Sequence, residues 1–482
     1  MAELVRHRVP FDGRRATTAP ATCAQRHMWN LIERQLPDAA FYNVCHWVEL
    51  PGRGTPQDLL SVFAELLGRH ESLRTGFDRT PEGELVQHVA RAGEFEAEVW
   101  TIGRGEDAES VLRAWRDRMR HTAFERARAP LIRFMATVVD GAPALAAFCV
   151  SHLAADLMSL RLLADEVTRL LDAAASGRPL PPAVVSRQPV EQALLERSPR
   201  GRALLRRAHT YWRRQLMGAP ATLFPPRDGT GGQPAGTGGD GAHVVRHSVA
   251  LDSRAVALAV PVLARHWRVS TSAVLLTVVA RLLGRRAGLT SCTLRLLTAN
   301  RSDPELRGTV ANLHAEVAAT IHLEGDRIED TARRAFAACT AAYANGLYDP
   351  DEVTDLFGEV ARERGAPVDL SYCFNDIRAD HGLPETAGGP EHLVTGAELR
   401  TAMADTVVAP HEFDEGETFF LVIDDEEPGW IRLVLNADGR ALTPSEVRGF
   451  LYDVERVLVE HAEHAVADGA AQVSSQGVSG PR

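Results

Sequence analysis

The stretch Phe148–Leu160, FCVSHLAADLMSL, decides how this chain is read. The apolar run before it, APALAAFCV, has the look of a buried strand, and DLMSLRLLADEVTRLLDAAASG after it has apolar residues at helical spacing and ends on a glycine. His152 therefore falls at a strand-to-helix junction, with Asp156 four residues on. A histidine there, with an ordinary pKa near 6.5, can serve as a general base at neutral pH. It can equally be a core histidine satisfied by neighbouring backbone. Spacing leaves both readings open, because His322 with Asp326 and His464 with Asp468 repeat the same interval, one in a turn-like context and one on the last helix.

The bulk properties narrow the classes. A chain of 482 residues exceeds one ordinary core, so two lobes of roughly 200 residues each are expected. With 45% apolar and 24% charged residues it reads as soluble and globular. The longest apolar run, AVLLTVVARLLG from Ala273, is interrupted by Arg281 and falls short of the roughly 20 residues that span a bilayer. The opening MAELVRHRVPFDGRR lacks the apolar centre of a signal peptide, so a cytoplasmic location without membrane contact is expected.

Six cysteines without a CxxC pair argue against a zinc knuckle or a disulfide framework and for reduced, mostly buried thiols. A formal charge of −11 argues against general nucleic-acid binding. All 53 basic residues are arginine. Phosphate loops with a lysine, pyridoxal Schiff bases and lysine general bases are thereby excluded, and proton transfer falls to His, Asp, Glu, Cys or Tyr.

Along the chain, TCAQRHMWNLIERQL reads as a helix, FYNVCHWVEL as a strand, PQDLLSVFAELLGRH as a helix, and ELVQHV and EFEAEVW as strands before the helix AESVLRAWRDRMR. Beyond Pro181 comes a helix ending in AHTYWRRQL. The run GTGGQPAGTGGDG, residues 229–241, reads as a mobile linker, lacking the lysine and preceding strand of a phosphate loop. A second set of strands and helices then loosely echoes the first, which suggests two related lobes. No GxSxG elbow and no HExxH helix is present, and Cys149, at odd separation from His152 on a strand, points to the other face.

Ordered motifs give the chain a family likeness. TCAQRHMW at Thr22–Trp29, RHESLRTGF at Arg69–Phe77, SHLAADL at Ser151–Leu157, YWRRQL from Tyr211, NRSDPELRGTVAN at Asn300–Asn312 and SYCFNDI from Ser371 follow in the order of a condensation domain of nonribosomal peptide synthesis. The chain resembles that family, within the chloramphenicol acetyltransferase-like superfamily, from about residue 17 to about 462. The resemblance implies an α/β fold of two acetyltransferase-like lobes in a V-shaped pseudo-dimer, each a mixed sheet flanked by helices. The expected division is 1–185, carrying the SHLAAD motif, then 186–465, then a disordered tail at 466–482.

Carried over residue by residue, the resemblance makes His152 the catalytic histidine and Asp156 a structural partner of Arg301. Ser151 replaces the first motif histidine, and Leu157 replaces the glycine near the passage of the carrier arm. Asn312, His314 and Asn375 are nominated as channel residues on motif position. The implied function joins a carrier-protein-bound acyl or aminoacyl thioester to an amine or alcohol acceptor, with no bound cofactor and no metal. The donor would ride on the phosphopantetheine arm of a separate acyl or peptidyl carrier protein, because neither a GGxS attachment motif nor a TSGTTG adenylation signature is found, so a free-standing enzyme is expected. Docking of that acidic partner would draw on local arginines such as those of RALLRRAHTYWRRQL. Two alternatives remain: a coenzyme A dependent acyltransferase of the same superfamily, and a catalytically degenerate domain that recruits a partner protein.

Overall fold

A computed structural model describes residues 2–103, 107–224, 245–379, 394–412 and 416–476. The glycine run at 229–241 lies outside the described residues. The chain separates into two compact units that interleave in sequence: residues 1–208, 299–315 and 347–352 form the first, and the remainder forms the second. The single boundary expected at residue 185 is therefore corrected. Residues 186–208 stay with the first unit, tied there by Arg187, which hydrogen-bonds Asp303 at 3.0 Å and whose backbone N–H donates to the Glu305 carbonyl at 3.0 Å.

In the first unit the elements run β1 (Glu3–Asp12), β2 (Thr17–Pro20), α1 (Cys23–Arg34), β3 (Asn43–Glu49), α2 (Pro56–Arg69), β4 (Thr75–Arg79), β5 (Leu85–Val89), β6 (Ala92–Ile102), α3 (Ala108–Arg120), β7 (Ile132–Val139), β8 (Ala142–Ser151), α4 (Leu157–Ala175) and α5 (Pro189–Arg197). Helix α6 (Pro199–Gly218) carries the chain into the second unit. The main sheet has the order β1-β6-β7-β8-β3, with β6 and β7 parallel and the other pairs antiparallel, and β2-β5-β4 form a small second sheet. One face of the main sheet packs Phe95, Phe134, Phe148 and Val150 against Phe63 and Leu66 of α2 and Leu160, Leu163, Val167 and Leu170 of α4. The other face packs Met135, Ala147 and Cys149 against Leu112, Trp115 and Met119 of α3. Burying each such large side chain contributes about 1.5–3 kcal/mol, which fixes β8 from both sides.

The second unit runs β9 (Arg246–Ser253), α7 (Arg254–Trp267), α8 (Thr271–Ala287), β10 (Ser291–Thr298), β11 (Ala315–His322), α9 (Ile328–Tyr343), α10 (Pro350–Arg364), β12 (Tyr372–Asp376), α11 (Gly396–Ala404), β13 (Val407–Pro410), β14 (Phe419–Asp424), β15 (Ile431–Asp438) and α12 (Pro444–Gln476). Its sheet has the order β11-β10-β12-β14-β15-β9-β13, with β10, β12 and β14 parallel to one another. Both units are thus mixed sheets flanked by helices, as expected. The tail expected from residue 466 is corrected: α12 continues to Gln476 through an alanine-rich stretch of high helix propensity, and residues 477–482 lie outside the described residues. No single helix among the described residues is long and apolar enough to cross a membrane; α7 and α8 reach that length only as a pair bent by 97°.

Local chemistry explains the motif-bearing elements. Thr22 and Gln25 close a capping box at the start of α1, and Thr55 and Asp58 do the same for α2, with Pro56 at its first turn. In RHESLRTGF the Arg74 guanidinium is buried and donates to the carbonyls of Leu67, Arg15 and Ala90, drawing three segments together. Gly76 is required by close approach, since a Cβ there would lie 2.5 Å from the Ala127 carbonyl oxygen.

Candidate active site

Ser151 ends β8, and the chain turns over His152–Ala154 before Asp156 caps α4. The Ser151 backbone N–H donates to the Leu131 carbonyl (3.0 Å), its carbonyl accepts from Ala154 N–H (2.8 Å), and its hydroxyl accepts from Leu153 N–H (3.4 Å). The buried serine thus shapes the turn. The His152 N–H donates to the Tyr42 carbonyl at 3.1 Å, anchoring the backbone to the strand entering β3. Beneath the turn, Leu153 and Ala154 pack with Met28, Trp29 and Ile32 of α1, Phe77 of β4 and Leu131. Motifs far apart in sequence, TCAQRHMW and RHESLRTGF, therefore meet as the floor under His152.

Asp156 is the hub of the support. Its Oδ1 accepts from the N–H (2.9 Å) and hydroxyl (2.8 Å) of Ser159, and its Oδ2 accepts from Leu313 N–H (3.0 Å). Arg301 spans both oxygens, with NH1 on Oδ2 at 2.8 Å and NH2 on Oδ1 at 2.9 Å. The same guanidinium reaches the carbonyls of Ala299 (2.9 Å) and Thr309 (3.1 Å) and the Ser159 hydroxyl (2.8 Å). Both side chains are under a tenth exposed. Burial alone would push the Asp156 carboxyl up; the Arg301 charge and hydrogen bonds, with the two backbone donors, outweigh it and hold the group below the usual range. Asn300 makes the turn that presents Arg301, in a left-handed conformation (φ 52°) that asparagine tolerates better than most residues.

Around His152 lie two further imidazoles. The His314 ring is 5.6 Å from that of His152, centroid to centroid, and 6.2 Å from His27 of α1, which in turn lies 6.1 Å from the Tyr348 ring. His152 is half-buried, and its Nδ1 has no hydrogen bond of ordinary geometry among the described residues. Burial lowers its pKa, the Asp156 charge pulls the other way, and His27 adds to the lowering. The arrangement favours a neutral imidazole at physiological pH, the protonation state of a base.

The structure brings Ser151, His152, Asp156, Leu157, Arg301, Asn312 and His314 together in the first unit. Leu157 opens α4 directly after its cap and is half-buried. Asn312 is buried, and its Oδ1 accepts from His314 N–H at 3.2 Å. Asn375 belongs to the second unit, on β12 opposite Val422 of β14. Sequence reasoning missed His27; its position inside TCAQRHMW was the available signal, but nothing in the periodicity of α1 separates it from a solvated helix residue. Among the described residues no group of three or more His, Cys, Asp or Glu side chains is arranged to hold a metal.

Residues 15–349 match the family model described as Condensation domain. The chain is 26% identical over 307 residues to malpinin synthetase of Mortierella alpina, which covers 64% of this chain, and it spans about 4% of that synthetase's length. In structure it resembles the SgcC5 protein from Streptomyces globisporus, solved with (R)-(-)-1-(2-naphthyl)-1,2-ethanediol and sucrose, at a TM-score of 0.65, 20% identity and coverage of 93% of this chain and 98% of that one. It also resembles the starter condensation domain of rhizomide synthetase RzmA, solved as a mutant with C8-CoA and Leu-SNAC, at a TM-score of 0.64, 15% identity and coverage of 93% and 95%.

Proposed function

This chain belongs to the condensation-domain family, and from that premise we propose that it transfers an acyl or aminoacyl group from a carrier-bound thioester to an amine or alcohol, with His152 as general base. One observation carries the reading: His152 sits on a strand–turn–helix junction whose cap, Asp156, is gripped through both oxygens by a buried Arg301 that also ties in Ser159 of α4 and the 299–313 segment. The acceptor nitrogen or oxygen attacks the thioester carbonyl, a C–N or C–O bond forms, and the C–S bond breaks. His152 takes the acceptor's proton during the attack and returns it to the departing thiolate. A base placed in this way contributes on the order of 10²–10⁴-fold, beyond the gain from holding the two reactants together.

His27 and His314 line the same neighbourhood, and charge on His27 disfavours charge on His152. Asp156 and Arg301 act by positioning. The ligands of the two structural neighbours, an acyl-CoA in one and a diol in the other, support a thioester donor and leave a hydroxyl acceptor in play. Arg202, Arg206 and Arg207 lie on the exposed side of α6 and suit an acidic carrier protein.

The test loads a panel of acyl groups onto a carrier protein and, separately, onto coenzyme A, and adds candidate amines and alcohols. Product is followed by mass for wild type and His152→Ala. Carrier-dependent product that falls at least about a hundredfold in the variant supports the assignment. Product from acyl-CoA without carrier favours the coenzyme A reading, to which the C8-CoA complex of the rhizomide neighbour points. Undiminished product in the variant removes His152 from the chemistry.

A further inference from the structure

The two strands that carry the His152 turn also bring two cysteines face to face. β3 and β8 pair antiparallel in unbroken register, with Cys45 directly opposite Cys149. Two backbone bonds fix which rungs of this ladder are hydrogen-bonded: Leu50 N–H donates to the Ala144 carbonyl at 2.8 Å, and His152 N–H to the Tyr42 carbonyl at 3.1 Å. Rungs alternate, so Tyr42/His152, Val44/Val150 and their even-numbered successors are the hydrogen-bonded pairs. Cys45/Cys149 is then a non-hydrogen-bonded pair, the kind in which Cα atoms approach to about 4.5 Å and side chains stand closest. That separation lies at the near end of the roughly 4.4–6.8 Å spanned by disulfides.

The surroundings suit oxidation. Across the next ladder Arg133 of β7 stands directly opposite Cys149, so Cys45, Cys149 and Arg133 form one row across the sheet. Arg116 stacks on Trp47, two residues along the same face of β3, at 4.3 Å. Cys149 is buried, whereas Cys45 is half-buried and keeps contact with solvent. The hydrogen bond with Cys149 lowers the Cys45 thiol, burial opposes it, and the charges of Arg116, Arg120 and Arg133 add to the lowering. Both thiols are free in the structure.

We propose that Cys45 and Cys149 form a redox modification site, closing to a cross-strand disulfide when the protein meets a peroxide and reopening with a dithiol. The Cys45 thiolate attacks the peroxide oxygen, the O–O bond breaks, and a sulfenic acid and one water result. The Cys149 sulfur then attacks the sulfenic sulfur, the S–S bond forms and a second water leaves, so one peroxide is reduced by two electrons per disulfide. The bond would clamp the ladder that holds His152 through Tyr42, three residues from each cysteine.

The full chain is treated in its folded state with a small excess of hydrogen peroxide, quenched with N-ethylmaleimide, and analysed by intact mass and peptide mapping. Expected is the loss of two of the six free thiols, a Cys45–Cys149 linked peptide, and full reversal by dithiothreitol. The Cys45→Ser variant should keep all five of its thiols and Cys149→Ala should lose only the Cys45 thiol, stopping at the sulfenic acid, while Cys292→Ser, whose thiol is buried and held up by that burial, should still lose two. The wild-type map needs no variant to fold. Retention of six alkylatable thiols, a different linked pair, or Cys45 oxidised singly beyond the sulfenic acid with Cys149 still reduced would each overturn the proposal.

Discussion

Replacing Arg301 by leucine removes two of the five donors that Asp156 receives and leaves its carboxylate buried beside only Leu313 N–H and Ser159. The carbonyls of Ala299 and Thr309 lose their guanidinium at the same stroke. Breaking a buried pair from one side costs about 3–5 kcal/mol, a large share of the roughly 5–15 kcal/mol that holds a domain folded. For a unit of this size that corresponds to a fall of roughly 6–20 °C in its melting temperature. The sign with pH follows from Asp156, whose carboxyl is held below its ordinary range: the stability it contributes is present above its unfolded value near 3.9 and is lost as pH falls through the lower folded value. The gap between wild type and Arg301→Leu, measured by urea unfolding with tryptophan fluorescence, should therefore be full at pH 6–8 and shrink in acid. The double variant Asp156→Leu/Arg301→Leu should recover part of the loss, because no charge is left unpaired. A gap under about 1 kcal/mol at pH 7, or one that persists unchanged in acid, would refute the reasoning.

Turnover of the wild-type protein should rise with pH through an acid limb lying below the ordinary histidine value of about 6.5, and His27→Ala should move that limb upward by removing the repulsion His27 exerts on a charged His152; an unmoved limb would detach His27 from the base. Leu157→Gly should cost the start of α4 up to about 1 kcal/mol and raise turnover with bulkier acyl donors, measured across a chain-length series; an unchanged donor profile would show that Leu157 does not limit access. Asp424 on β14 is pushed up to about 6, first by burial, with Glu426 and Asp252 adding to it. A raised carboxyl favours the folded state while protonated and loses that advantage as pH climbs from about 4 through 6, so Asp424→Asn should stabilise the protein at pH 7.5 and leave it unchanged at pH 4; equal effects at both would exclude the titration.

Much of this architecture lies in short-range signals. The period of two in FYNVCHWVEL and the helical spacing after Asp156 became β3 and α4: Val44 and Val48 of β3 and the apolar stripe of α4 pack into one core, while Cys45 and Trp47 pack on the other side of the sheet. The opening ELVRHRVPFD pairs along its whole length with β6 yet shows little strand alternation in sequence, since it is an edge strand with Glu3, Arg6, Arg8 and Asp12 among its ten residues and only Phe11 fully buried. β11 is hard to read for the opposite reason, being buried on both faces within the second core, and α7 because Pro261 falls inside an otherwise helical pattern.

By itself the sequence determined most of the helices and strands and the order of the family motifs, because these depend on residue identity and local spacing, while the pairing of Asp156 with Arg301 was legible only through the resemblance those motifs carry. Tertiary structure alone decided that 299–315 is stitched into the first unit, that His27 and His314 stand beside His152, and that Cys45 faces Cys149 on a non-hydrogen-bonded rung. Those juxtapositions join residues scores to hundreds of positions apart, and only strand register and the closing of a common core fix which of them meet.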